Sequence, residues 1–254
     1  MIFDTHAHYD DEAFDEDREE LLNSLKAQGV GMVVNVGASI ASTKTTLKLM
    51  NQYPFIYGAL GVHPSDTAEL TEGDMEWLKE QFHNPKAVAV GEIGLDYYWD
   101  EPEKEIQQKW FERQLQLAKE VKKPVSIHSR EAANDTLSIM KNAHAEEIGG
   151  VIHCFSYGKE MAREFLNLDF YFGIGGVLTF NNGKKLKEAA AYIPMDKILL
   201  ETDCPYLAPV PYRGKRNNST YLTYVVQELA RIKGLSDEDV IRITRENGRR
   251  LFGV

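Results

Sequence analysis

The chain opens MIFDTHAHYDD, residues 1–11. An apolar start, Met1-Ile2-Phe3, runs straight into an acid and two histidines, Asp4-Thr5-His6-Ala7-His8. Read as a strand, this segment places His6 and His8, two residues apart, on one face at its C-terminal end. The pattern recurs along the chain. AVAV (87–90) ends in Gly91-Glu92-Ile93-Gly94, PVSI (124–127) in His128-Ser129-Arg130, GVI (150–152) in His153, and KILL (197–200) in Glu201-Thr202-Asp203. The apolar run ending at Leu60 is followed by Gly61-Val62-His63-Pro64.

The remaining sequence alternates short β-rich runs with longer helical patterns. Strands are expected at 2–5, 32–36, 56–60, 87–90, 125–127, 151–152, 170–174 and 198–200. Helices are expected near 15–28, 41–52, 72–82, 103–122, 131–143, 158–168, 184–191, 219–233 and 237–247. In the segment 103–122, Ile106, Trp110, Leu117 and Val121 fall near helical spacing with Lys and Glu opposite, so Trp110 reads as core. Asp237-Glu238-Asp239 puts acids where a helix N-terminus favours them. Strands followed by helical returns imply parallel pairing with right-handed crossovers. The strands are apolar on both faces, as in a buried parallel sheet. The fold class expected is α/β, a single-domain (β/α)8 barrel over residues 1–254, with an open doubly wound sheet as the alternative.

Bulk properties narrow the function. With 43% hydrophobic and 27% charged residues over 254 positions, the chain has an ordinary globular composition. The start lacks the signature of a signal peptide, and there is no apolar run of about 18 residues to span a membrane. Two well-separated cysteines, Cys154 and Cys204, read as free packing thiols of a cytoplasmic protein. A net charge of -10 argues against broad nonspecific binding to nucleic acid but leaves room for a local basic site.

A barrel gathers its strand C-termini on one rim. Five of the seven histidines then converge with two or three carboxylates, whereas His83 and His144 lie at surface helices. A lone histidine at a strand end is usually a satisfied hydrogen-bonding residue. A whole cluster left without metal would leave several buried polar groups poorly satisfied. The donors are nitrogen and oxygen, which suits Zn, Mn, Fe or Ni and allows Mg. Six ligands exceed one catalytic ion, so two ions with Glu92 as bridge fit better.

FDTHAHYD, GVHP, GEIGLDYYWD, PVSIHSRE, GVIHCFS, LLETDCPYLAP and ENGRRLFGV resemble, in order and over the whole chain, the motifs of TatD-family metal-dependent deoxyribonucleases, which have amidohydrolase-type barrels. The resemblance implies that His6, His8, Glu92, His128, His153 and Asp203 bind two divalent ions (Mg, Mn or Zn). Some members lack the first HxH pair, which this sequence keeps. One departure follows Arg130, where Asn134 replaces an acid usual in the family and Asp135 stands next to it.

Asp203 is the candidate to orient or deprotonate the attacking water. Glu201, two residues earlier and so expected on the same strand face, either holds a further ion, braces a ligand or is a rim acid paired with a basic residue. His63 is assigned to phosphate contact or leaving-group protonation. Arg130 suits bidentate phosphate binding, or a structural ion pair. The loop Pro211-Tyr212-Arg213-Gly214-Lys215-Arg216-Asn217 offers Arg213 and Lys215 to a phosphate backbone. Tyr97, Tyr98 and Trp99 either stack on unpaired bases or pack as a lid. The expected substrate is therefore DNA, cleaved exonucleolytically from single strands or ends. The 3′ to 5′ polarity is implied by the resemblance alone. No membrane or obligate protein partner is expected, and the protein should be a monomer. The alternatives are an ester or amide hydrolase, such as a D-aminoacyl-tRNA deacylase, and a non-catalytic metal-binding scaffold.

Overall fold

The computed structural model describes residues 1–254. Eight strands pair in parallel in sequence order: β1 (Ile2–Ala7), β2 (Val30–Val36), β3 (Ile56–Leu60), β4 (Ala87–Asp96), β5 (Val125–Arg130), β6 (Gly150–Ile152), β7 (Tyr171–Ile174) and β8 (Ile198–Leu200). The ring is closed through a bridge between Ala7 and Cys204, where the His8 N–H donates to the Cys204 carbonyl at 2.8 Å. Around it lie α1 (Arg18–Ser24), α2 (Ile40–Gln52), α3 (Glu72–Gln81), α4 (Lys104–Val121), α5 (Ala133–Asn142), α6 (Lys159–Asn167), α7 (Lys184–Tyr192), α8 (Leu222–Lys233) and α9 (Asp237–Phe252). This is the (β/α)8 barrel, not the open sheet.

Local chemistry accounts for the helix ends. Thr71 and Asp74 form a reciprocal capping box at α3, and Ser236 caps α9 ahead of its three acids. Gly234 and Gly253 close α8 and α9 in the left-handed conformation, which glycine adopts without Cβ strain. Trp110 is buried on α4, as its spacing requires.

Two apolar clusters form the core. The larger lies between the strands and the helices. The smaller draws Phe3, Val34, Ala59, Val88, Val151, Tyr171 and Leu199 from seven of the eight strands, so it fills the barrel interior. Phe252 of α9 meets Phe3 edge-on there, with ring centroids 6.1 Å apart. Fully burying side chains of this size contributes about 1.5–3 kcal/mol each.

Strands β1, β4 and β5 run further than their apolar runs predict. The Val90 end of β4 is not a terminus: a register shift between Val90 and Ile93 lets the strand resume against β5 as far as Asp96. Two buried glutamines of α4 hold the neighbouring backbone. Gln107 accepts from the Asp96 N–H at 2.9 Å and donates to its carbonyl at 3.0 Å; Gln114 treats Val62 in the same way. The end of β4 and the segment just after β3 are thereby fixed by side chains where the ladder runs out. No helix is long and apolar enough to cross a membrane.

Candidate metal centre

The five rim histidines gather around Glu92. One Glu92 oxygen, Oε2, lies 3.4 Å from His6 Nε2 and 3.6 Å from His8 Nε2. The other, Oε1, lies 2.8 Å from His128 Nδ1, 3.2 Å from His153 Nε2 and 3.7 Å from His63 Nε2. Asp203 Oδ1 completes the first group, 3.3 Å from His8 Nε2 and 4.0 Å from His6 Nε2. His6, Glu92 and His153 are sealed beneath the surface. The side chains of His8, His63, His128 and Asp203 keep 10–18% of their area exposed and form the wall that a substrate would meet.

Each ring is oriented by its outer contact. His8 Nδ1 lies 2.9 Å from the Val36 carbonyl, which fixes its proton there and leaves Nε2 facing Asp203. Ser126 Oγ stands 3.3 Å from His6 Nδ1. Asp96 Oδ2 lies 3.0 Å from His128 Nε2. His63 is different, because its Nδ1 accepts the Ser65 N–H at 3.2 Å. In the neutral ring the proton is therefore on Nε2, which points toward Glu92.

Electrostatics follow from this packing. Burial opposes ionisation of Glu92, but His153, His63 and His6 outweigh it and hold the carboxyl well below its ordinary range. Asp203 is likewise lowered against its burial, chiefly by His8. Burial alone would lower His8; the Asp203 and Glu92 carboxylates overcome it and raise His8 to about 9. Burial and the neighbouring His128 push His63 down to about 3, so its ring is neutral at ordinary pH.

The donor set fits a divalent cation. All donors are imidazole nitrogens or carboxylate oxygens, suited to Zn or Mn, with Mg at the carboxylates. His6 Nε2 and His8 Nε2 stand only 3.2 Å apart while facing the same carboxylate oxygen. A cation among them would satisfy both lone pairs. Ligand atoms within 4.8 Å of one another occur in three groups: His6, His8 and Asp203; His63, Glu92 and His128; and His6, His153 and Glu201.

The cluster therefore contains all six expected ligands and His63. Glu201 does not share a face with Asp203. The strand ends at Leu200, and Asp203 takes a left-handed conformation (φ 58°), so alternation fails there. Cys204 is buried as expected, and Cys154 is half-buried. Arg130 lies over the Tyr98 ring, 3.7 Å from its centroid, and forms no ion pair, so the structural pair is not made. Arg213 rests on Phe180, whereas Arg216 is engaged by Asp17. Lys215 is exposed. Tyr97 is half-buried, its hydroxyl donating to Asp135 at 2.9 Å. The most exposed rings here are Tyr98 and Trp99, 49% and 59% exposed; one face of Tyr98 is covered by Arg130. Asp135 thus braces Tyr97 from the first turn of α5, at the position next to Asn134.

Two residues were not anticipated. Asp96 stands four residues after Glu92, and the alternation Glu92-Gly94-Asp96 was its available signal. Asp4 is fully buried and accepts from the Thr202 N–H at 3.0 Å, from its hydroxyl at 2.7 Å and from Ser219 Oγ at 2.6 Å. It ties β1 to the segment that carries Asp203. Burial raises its carboxyl to about 7 despite these bonds.

A parallel barrel with an all-nitrogen-and-oxygen ligand cluster at its strand C-termini defines the class of barrel hydrolases that work with bound metal. Comparison with known proteins agrees. The family model described as TatD related DNase matches residues 3–253. The chain is 45% identical over its full length, and the relative's full length, to YabD of Bacillus subtilis, described as an uncharacterized metal-dependent hydrolase. It is 35% identical to YcfH of Escherichia coli, described in the same words, covering 100% of this chain and 96% of that one. The crystal structure of YjjV, a TatD homolog from Escherichia coli, superposes with a TM-score of 0.94 at 30% identity, covering 100% of this chain and 98% of that one. The chain belongs to the TatD family of metal-dependent hydrolases.

Proposed function

We propose that this protein hydrolyses phosphodiester bonds in DNA, shortening single strands or exposed ends with two divalent ions bound. The observation that carries the reading is the division of Glu92, with one oxygen facing His6 and His8 and the other facing His128 and His153. His6, His8 and Asp203 would hold one ion, His128 and His153 the other, and Glu92 both. The bound ions would supply the charge that acidifies a water and offsets the developing charge on the phosphoryl oxygens.

The protein's own groups supply the rest. Asp203 is ionised, reaches the solvent-facing wall and takes the proton of the attacking water. His63 is neutral and offers its Nε2–H to a phosphoryl oxygen, the first of its two expected roles. Arg130, Arg213 and Lys215 are free of acidic partners and serve the flanking phosphates. Tyr98 and Trp99 extend the stacking surface assigned to Tyr97. The family likeness supports a 3′ to 5′ direction. Two free thiols support a cytoplasmic setting.

The test is cleavage of end-labelled single-stranded DNA by chelator-treated protein, with Mg, Mn and Zn restored singly. The His6→Ala/His8→Ala double variant and a D-aminoacyl-tRNA substrate run alongside. Stepwise shortening that needs metal and both histidines supports the reading. Metal-dependent hydrolysis of the aminoacyl ester with intact DNA would replace the substrate.

A further inference from the structure

Glu201 is buried beside the candidate metal centre and takes no part in the proposed reaction. Its Oε1 accepts the Cys154 N–H and lies 3.1 Å from His153 Nδ1. Its other oxygen, Oε2, and His153 Nδ1 are both buried without an aligned hydrogen bond. The nitrogen and Oε1 stand at hydrogen-bond distance but out of line. Glu201 follows β8 and His153 follows β6, so the carboxylate must reach across β7. Gly173 of β7 makes the passage: a Cβ built there would fall 1.9 Å from Glu201 Oε2 and 2.4 Å from Cδ. The carboxylate occupies the place of a missing side chain.

We infer that Glu201 is a positioning residue, which holds the His153 proton on Nδ1 so that Nε2 faces Glu92 as a lone-pair donor. The inference rests on the metal-centre reading above. A histidine ligand whose outer nitrogen is held by a carboxylate is fixed in ring orientation and tautomer and is more basic toward a cation. The competing role, a ligand to a third ion beside Glu201, would need a lone pair on His153 Nδ1 and so put the neutral ring's proton on Nε2, the atom that faces Glu92.

Three variants test this on the full-length protein: Glu201→Ala, Glu201→Gln and Gly173→Ala. Gly173→Ala keeps the six expected ligands and Glu201 itself in the sequence and crowds the Glu201 carboxylate out of its place. Zn and Mn affinity and stoichiometry are measured by calorimetric titration, and the His153 tautomer by 15N NMR of the imidazole. Circular dichroism and thermal melting confirm that each variant is folded. Glu201→Ala and Gly173→Ala should each weaken the tighter-held metal by about 10–100-fold with the number of ions unchanged. Both should shift the His153 nitrogen signals. Glu201→Gln, which keeps an accepting oxygen, should retain most of the affinity. Wild-type affinity in a folded Glu201→Ala, or the loss of one equivalent of metal, would overturn the assignment. Absence of metal binding by the wild type would instead overturn the metal-centre reading. The readout does not involve DNA, so the substrate assignment is tested separately.

Discussion

Asp96 Oδ2 lies 3.0 Å from Nε2 of His128 and holds the ring with Nδ1 against Glu92. Asp96 is itself fixed, since Gln107 pairs with its backbone N–H and carbonyl and its Oδ1 accepts the Tyr98 N–H at 3.0 Å. A strand-end carboxylate thus orients a candidate ligand on the neighbouring strand. Asp96→Ala should weaken one metal equivalent by about 10–100-fold while leaving the other near wild type. Titration with Mn or Zn reads this directly, and equal weakening of both equivalents would contradict it.

Asp203→Asn should leave the fold intact and lower kcat by about 10²–10⁴. The change is isosteric, the side chain is partly exposed, and Glu92 Oε2 stays 3.6 Å from His8 as its remaining counter-charge. Circular dichroism and steady-state cleavage of labelled DNA check the two halves of the statement. Turnover like that of the wild type would remove Asp203 from its role as base.

Metal affinity should rise with pH. His8 holds its proton up to about 9 in the ion-free protein, because Asp203 and Glu92 overcome the effect of burial. A ligating nitrogen must be unprotonated, so binding below that pH expels a proton. Between about pH 7 and 9 the release of this proton should raise the affinity by up to about tenfold per unit. Calorimetry in buffers of different ionisation enthalpy counts the released proton. A pH-independent affinity would contradict the expectation.

Gly94 has φ +139°, and a Cβ there would meet the His128 carbonyl oxygen at 2.0 Å. Gly94→Ala should therefore cost at least about 1–3 kcal/mol in conformation alone and loosen the β4–β5 pairing that holds Glu92 beside His128. Gly73→Ala is the contrast. It lies within α3 with only ordinary contacts, so it should stabilise by roughly 0.5–1 kcal/mol. Thermal melting with and without metal separates the two: the first should lower Tm and blunt the metal response, and the second should raise Tm.

Much of this arrangement was legible in the linear chain. Apolar runs ending in His6, His8, Glu92, His128, His153 and Asp203 carry both the strand pattern and the donor chemistry, because side-chain alternation and ligand type are local properties. The alternation of strand and helix predicts the barrel for the same reason, since parallel neighbours need a crossover. Where the backbone leaves regular geometry, local rules stop. The register shift after Val90 carries β4 on to Asp96, and the left-handed turn at Asp203 separates it from Glu201.

The tertiary structure alone decided which atom faces which. That Glu92 divides its oxygens, that His63 presents a proton and not a lone pair, and that Glu201 reaches His153 through the space left by Gly173 all depend on contacts between strands far apart in sequence. Residue type and spacing name the donors, but a donor's direction and protonation are set by the partners that packing brings to its other side.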